Sequence, residues 1–421
     1  MSTRSISLNK YITILFFILM DVYVYFALRK SINKSKYQKI YKYLYFFSVF
    51  IAYVGLYFLY TRFTQKPLEA AFIPNLFIGY FFSFFVFKLF FIVFILFEDF
   101  IRIFEILLST LRNLFSNKAK KIEAPGRRKF IRHSGLIVAG IPFTSMIYGV
   151  LKGRYDFKVT RLKLSFKNLP KSFDGLKIIQ ISDIHTGSFD SKEAINRGID
   201  LINEQNPDVI LFTGDLVNDD SREVVPFIDD FKRLQSRYGV YSTLGNHDYG
   251  DYKHWNSKKE KKENMDLMYD FHKKMNFQLL NNENAILTKN EESIGIYGVE
   301  NWGNPPFPQR GDLDKALNGA EDMPFKILMS HDPTHFTKKI VPHSTHFDLT
   351  LSGHTHGMQF GIDIPGFKWS PIKYIYPQWA GLYEEAKQYL YVNRGFGFLG
   401  YPGRAGIRPE ITVIELNRKA S

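Results

Sequence analysis

Cysteine is absent from all 421 residues. Its absence excludes a disulfide framework, a thiolate zinc site and a cysteine nucleophile. Acidic residues are scarce in one region only: residues 1–151 hold six Asp and Glu against twenty Lys and Arg. Residues 152–421 hold 35 of each sign and carry no net charge. The formal charge of +14 therefore describes the first third of the chain alone. A strongly basic protein suggests a nucleic-acid partner. With the second region neutral and the excess lodged among apolar runs, no nucleic acid is expected.

Four apolar stretches fill the first region, at 11–28, 43–60, 72–97 and 135–151. A bilayer core about 30 Å thick takes roughly 17–25 helical residues, which the first three satisfy. The fourth is short and contains Pro142. Basic residues in the tail and the three following segments number two, six, two and nine. That alternation puts 29–42 and 98–134 in the cytoplasm. The N-terminus and everything after residue 151 then lie on the extracytoplasmic side of a cell membrane.

Arg127 and Arg128, ahead of Phe130 and an apolar run, resemble a twin-arginine export segment, although a plain basic flank explains them as well. Residues 98–115 show a helical period with one polar face, suited to the inner membrane surface or to an extension of the third span. Asp21 and Lys88 fall inside spans at similar depth. An unpartnered charge there is costly, so the two are expected either to pair or to snorkel separately to an interface.

Beyond residue 152 the pattern is that of an α/β unit. Strand-length apolar runs (LKIIQIS, DVILFTG, GVYSTLG, FKILMS, FDLTLSG, YLYVN, ITVIEL) alternate with helical stretches at 191–205 and 261–275. In such sheets, sites form in loops beyond the carboxyl ends of strands. Five runs end in chemistry: Asp183-Ile184-His185, Asp215, Asn246-His247-Asp248, His331-Asp332 and His354-Thr355-His356. Five of the chain's eleven histidines sit there. Any one alone reads as a core residue; together with carboxylates and an amide they read as a metal site. These ligand types suit Mn, Zn or Fe. Seven candidates exceed one tetrahedral ion and suggest two, with a net positive charge left to face a phosphate.

The series DIH, GDLVN, GNHD, SHD and GHTH closely resembles the calcineurin-like metallophosphoesterases over about residues 175–416. The resemblance implies a β-sandwich flanked by helices. It also implies two divalent ions, one on Asp183, His185 and His356, the other on Asn246, His331 and His354, with Asp215 bridging. His247 would stabilise the phosphate or protonate the leaving group, and Asp248 would orient that imidazole. The implied reaction is hydrolysis of a phosphate mono- or diester by a metal-bridging hydroxide. The tail 393–416 resembles a membrane-associated bacterial branch that often has a twin-arginine-like segment before the domain. Met358 stands where that family more often has glycine.

The expected architecture is thus a bundle of four transmembrane helices over 1–151 followed by the metallophosphoesterase domain over 152–421. Tethering favours a membrane-borne substrate such as a phospholipid. The alternative is a membrane sensor or transporter subunit whose domain binds without hydrolysing. Residues 219–234 are expected as a solvated helix and 253–264 as a solvated loop. Tyr249, Tyr252 and Trp255 are candidates for substrate contact, and the glycines of 395–403 for tight turns.

Overall fold

The structure, a computed structural model, describes residues 3–32, 36–64, 71–115 and 125–419. Parts of the basic segments used for orientation, 33–35 and 116–124, lie outside the described residues. The chain divides into two compact units: Met1–Thr61 with Ile73–Tyr148, and Arg62–Phe72 with Gly149–Ser421.

The first unit consists of four helices: α1 (Thr3–Ile32), α2 (Gln38–Thr64), α3 (Phe72–Phe115) and α4 (Pro125–Leu151). All four are long and apolar enough to cross a membrane. Phe50, Val93 and Ile137 are among their exposed side chains, the inverse of a water-soluble bundle. The 98–115 segment takes the second of its two expected forms, continuing α3 without a break. One expectation shifts. The fourth span is longer than 135–151, because α4 begins at Pro125, whose missing N–H costs nothing in a first turn, and runs through Pro142.

Polar groups in this unit meet in pairs. Lys88 Nζ donates to Asp21 Oδ1 at 2.8 Å, both side chains buried. The polar face of α3 meets the basic start of α4: Arg132 forms a two-pronged bridge to Glu98 at 2.8 and 3.0 Å, and Arg127 reaches Glu105 at 2.6 Å. Arg128 lies 3.9 Å from Glu98. The arginine pair therefore holds two helices together.

The second unit is a β-sandwich flanked by helices. Its strands are β1 (Lys158–Phe166), β2 (Leu176–Ile181), β3 (Val209–Phe212), β4 (Val240–Ser242), β5 (Phe277–Leu279), β6 (Glu283–Lys289), β7 (Glu292–Gly298), β8 (Lys326–Met329), β9 (Leu349–Ser352), β10 (Ile362–Ile364), β11 (Phe367–Trp369), β12 (Gly381–Glu385), β13 (Gln388–Val392) and β14 (Glu410–Arg418). One six-stranded sheet runs β1-β14-β2-β3-β4-β5 and the other β12-β13-β9-β8-β7-β6. β2 to β5 are parallel, as are β7, β8, β9 and β13.

Successive residues of β3 show why its run is apolar without alternation. Val209 and Leu211 face the other sheet, while Ile210 and Phe212 face the flanking helices. A strand covered on both sides needs apolar residues at every position. Helices α5 (Lys192–Asn203), α6 (Ile228–Phe231) and α7 (Lys258–Lys274) contribute to the outer layer on the first sheet. The short α8 (Leu313–Leu317) lies over the second.

Two minor expectations are corrected here. Residues 219–234 form a 3₁₀ turn, Ser221–Phe227, leading into the four-residue α6. Pro226 interrupts a longer helix, and Val224 and Phe231 are buried in the core rather than solvated. The charge run at 253–264 is helical from Lys258, because the Ser257 hydroxyl caps the Glu260 amide at 3.1 Å.

Candidate metal centre

The loops after β2, β3 and β4 of one sheet and after β8 and β9 of the other converge at one end of the sandwich. Two clusters of potential ligands result: Asp183, His185 and His356, then Asp215, His331 and His354. Within each, the ligand atoms lie within 4.8 Å of one another. Asp215 stands between them, with Oδ2 3.1 Å from His331 Nε2 and 3.6 Å from His185 Nε2. Asn246 joins the second cluster through Oδ1, 2.8 Å from His354 Nδ1.

The backbone is bent to achieve this. Asp183, His185, Asp215, His354 and His356 all have left-handed φ values between 50° and 71°. Non-glycine residues rarely adopt that region, and such strain gathers at functional sites. Met358 shares it, at φ 54°, which explains why glycine is more usual there in the resembling family.

Each imidazole is aimed by a second partner. His185 Nδ1 faces the Val217 carbonyl at 3.1 Å, and His331 Nδ1 faces the Thr213 carbonyl at 2.7 Å. Donation there leaves the Nε2 lone pairs pointing into the site. His354 Nε2 contacts the Tyr376 hydroxyl at 2.8 Å and lies 3.5 Å from Asp332 Oδ2, freeing Nδ1 for the cluster. His185 Nε2 and His356 Nε2 are only 3.0 Å apart. That separation suits one shared proton or, once the proton is displaced, a shared cation. The donor set of imidazole, carboxylate and amide oxygen, with lone pairs converging, fits two divalent ions.

Burial lowers His185 to about 3 and His356 well below its usual value, so both are neutral and able to ligate. Burial raises Asp183 to about 6. For Asp215 burial acts the same way, but His331, His247 and His185 outweigh it and hold the carboxyl well below the ordinary range. His331 in turn rises to about 10: burial opposes its charge, and Asp215 overcomes that.

The role expected for Asp248 is not what the structure shows. Its carboxylate is buried and accepts from the amides of Gly245 and Asp215 at 2.8 and 2.9 Å and from Leu216 at 2.7 Å. It therefore pins the Asp215 loop to the Asn246 loop. His247 Nδ1 instead faces the Asn218 carbonyl at 2.6 Å. The backbone N–H of His247 donates to Asp215 Oδ1 at 2.9 Å.

Of the three aromatic candidates, Tyr252 alone reaches the site, its hydroxyl accepting from Asn246 Nδ2 at 2.9 Å. Tyr249 is buried against Glu300, and Trp255 bonds the Gly250 carbonyl. Sequence reasoning missed Tyr376 and Arg404. The Arg404 guanidinium is buried, 3.3 Å from His356 Nδ1, and donates to the Gly397 carbonyl. The glycines packed here are close-approach positions: a Cβ on Gly397 would sit 1.8 Å from the Ile184 carbonyl oxygen.

Known proteins match both units. A family model described as "Calcineurin-like phosphoesterase" matches residues 176–358. Another, "Probable Calcineurin-like phosphoesterase, transmembrane domain", matches 4–154. The uncharacterized metallophosphoesterase YkuE of Bacillus subtilis (strain 168) is 30% identical over 304 residues, covering 69% of this chain and 97% of that protein. The chain belongs to the calcineurin-like metallophosphoesterases.

Proteins described as "Transmembrane protein with metallophosphoesterase domain" are also similar to this metallophosphoesterase. That of Danio rerio is 30% identical over 282 residues, 65% of this chain and 60% of that one. That of Bos taurus is 29% identical over 283 residues, 64% and 59% respectively. The chain thus spans about three fifths of the length of these vertebrate relatives.

Proposed function

We propose that this chain is a membrane-anchored, dinuclear metal-dependent phosphoesterase that hydrolyses a phosphate mono- or diester. The observation that carries the reading is the pair of ligand clusters joined through Asp215. Asp183, His185 and His356 would hold one ion, Asn246, His331 and His354 the other, and Asp215 both. Such ions supply positive charge for phosphate oxygens and make a water acidic enough to react near neutral pH.

The chain's own groups do the rest. His247 is fixed through Nδ1–H by the Asn218 carbonyl, so in the doubly protonated ring Nε2–H is free to meet a phosphate oxygen or to give its proton to the leaving alkoxide. Asp248 keeps the loops of Asp215 and His247 in register. Tyr376 and Asp332 flank His354 Nε2 and hold that ring in place. The strained backbone at five positions presets the ligand geometry before any ion arrives.

Anchoring by the same chain favours a membrane-borne ester, such as a lipid-linked phosphate. The distribution of basic residues between the apolar helices favours the extracytoplasmic side for the catalytic unit. The test is turnover by the full chain of a panel of mono- and diesters with Mn, Zn or Fe. Cleavage of at least one ester is expected; a folded, metal-loaded protein that cleaves none contradicts the reading. For orientation, Ser421→Cys in this cysteine-free chain should react with an impermeant maleimide from outside intact cells, and labelling only after lysis reverses it.

A further inference from the structure

Between residues 152 and 419, eleven large apolar side chains are exposed, and seven fall within the 25 residues from Met358 to Leu382. The centre of this segment is the β10–β11 hairpin, where Ile362 pairs with Trp369, Asp363 with Lys368 and Ile364 with Phe367. Its two faces are reversed from those of a hairpin in water. The polar face turns onto the protein: Asp363 meets Lys158 at 3.2 Å and Arg394 at 3.4 Å, and the Lys368 ammonium donates to the Ala380 carbonyl. The apolar face turns outward, with Ile362, Ile364 and Phe367 at 44, 58 and 54% exposure.

This face adjoins the metal centre. Ser370, just after β11, bonds the Gly357 carbonyl next to His356 at 2.8 Å. Tyr374 and Ile375, the next exposed pair, immediately precede the tyrosine that touches His354. Met358, exposed as well, lies two residues beyond His356.

Two further observations identify what covers the face. Lys158, which holds the hairpin, lies seven residues after Leu151, the end of the last apolar helix. At about 3.3–3.6 Å per residue, the backbone of Lys158 stays within ~25 Å of where that helix ends. From 358 to 383 the single acid is Asp363, already paired, and the bases are Lys368 and Lys373. With Asp363 and Lys368 both turned onto the protein, the segment presents an apolar face with few free charges, which suits the interfacial zone of a bilayer.

We propose that the hairpin and the Tyr374–Ile375 turn dock on the lipid bilayer, dipping their apolar side chains into its interfacial zone. The metal centre then meets phosphate esters borne on lipid headgroups at the membrane surface. The substrate half rests on the function proposed above; the docking half does not.

The test uses the full chain in nanodiscs of phosphatidylethanolamine and phosphatidylglycerol. A spin label at Phe367→Cys should be more accessible to oxygen than to a water-soluble nickel chelate. A label at Ile286→Cys, also exposed and on β6 at an edge of the second six-stranded sheet, should show the reverse. Equal chelate access at the two positions overturns the docking, and Tyr374→Cys repeats the measurement should Phe367→Cys misfold. Replacing Ile364 and Phe367 by serine should lower the ratio of phosphatidic acid to p-nitrophenyl phosphate hydrolysis by about tenfold or more. An unchanged ratio overturns the substrate half. Failure of both monoesters and of every diester of the panel with the unaltered protein sinks the proposed function instead, and the accessibility result still decides docking.

Discussion

The helical unit and the metal centre treat buried charge in opposite ways, although elsewhere in the sandwich buried pairs such as Arg394 with Glu410 follow the helical pattern. In the helical unit each buried ion meets a side chain of opposite sign: Asp21 with Lys88, Glu98 with Arg132. In the sandwich, Asp183 and Asp215 have no lysine or arginine at ion-pair distance among the described residues. Their close neighbours are imidazoles. A protein surrounded by lipid must neutralise its own charges, because no solvent will. A site whose two buried carboxylates face imidazoles rather than lysine or arginine leaves that task to ions from outside or, without them, to a protonated His331.

The largest departure from this contrast is expected at His247, which serves the reaction and not the charge balance. His247→Gln should keep its metal content and lose about 10²–10⁴ in kcat. Metal analysis beside single-turnover kinetics separates the two effects. Next comes the helical pair. Lys88→Met leaves Asp21 uncompensated and should destabilise the protein by about 3–5 kcal/mol. The double change with Asp21→Asn should recover most of that, as thermal unfolding in detergent would show; strictly additive losses would mean the charges act separately.

A smaller effect is expected around the ligands. Tyr376→Phe removes the hydroxyl at His354 and should weaken metal binding by about 10–100-fold, read by competition with a chelating dye.

The smallest concerns Glu223, which accepts from the Asn218 amide at 2.6 Å beside the site. Burial, then the charges of Asp219 and Asp220, push its carboxyl up to about 8, against the pull of its backbone hydrogen bonds. A raised folded pKa gives stability that is complete below the ordinary carboxylate range and is lost as pH climbs through about 8. Glu223→Gln keeps the neutral donor and acceptor. Its melting temperature relative to the unaltered protein should therefore rise between pH 5 and 9; a constant difference would contradict the assignment.

What the sequence disclosed follows the same division. Apolar runs announce helices in lipid, and a pair such as Asp21 and Lys88 is legible because a lone charge there is untenable. The ligand loops are legible because parallel strands buried on both faces read as uninterrupted apolar runs, and the polar residues that end them stand out. The start of α4 was hidden because Arg127 to Arg132 look like a flank until Glu98 and Glu105 are seen opposite. Tyr376 comes from an irregular turn with no periodicity to betray it, 22 positions beyond the histidine it contacts. Asp248 was misread because chain neighbours seemed natural partners. A buried carboxylate surrounded by four amide donors takes the amides instead.

Metal stoichiometry tests the central claim most directly. The full chain, loaded with Mn or Zn and freed of excess, should carry two ions per polypeptide by elemental analysis. Asp215→Asn, which removes the charge between the clusters, should lose bound metal and hydrolysis together. A folded Asp215→Asn protein that retains two ions and full activity, or an unaltered protein that never binds more than one, would contradict the account.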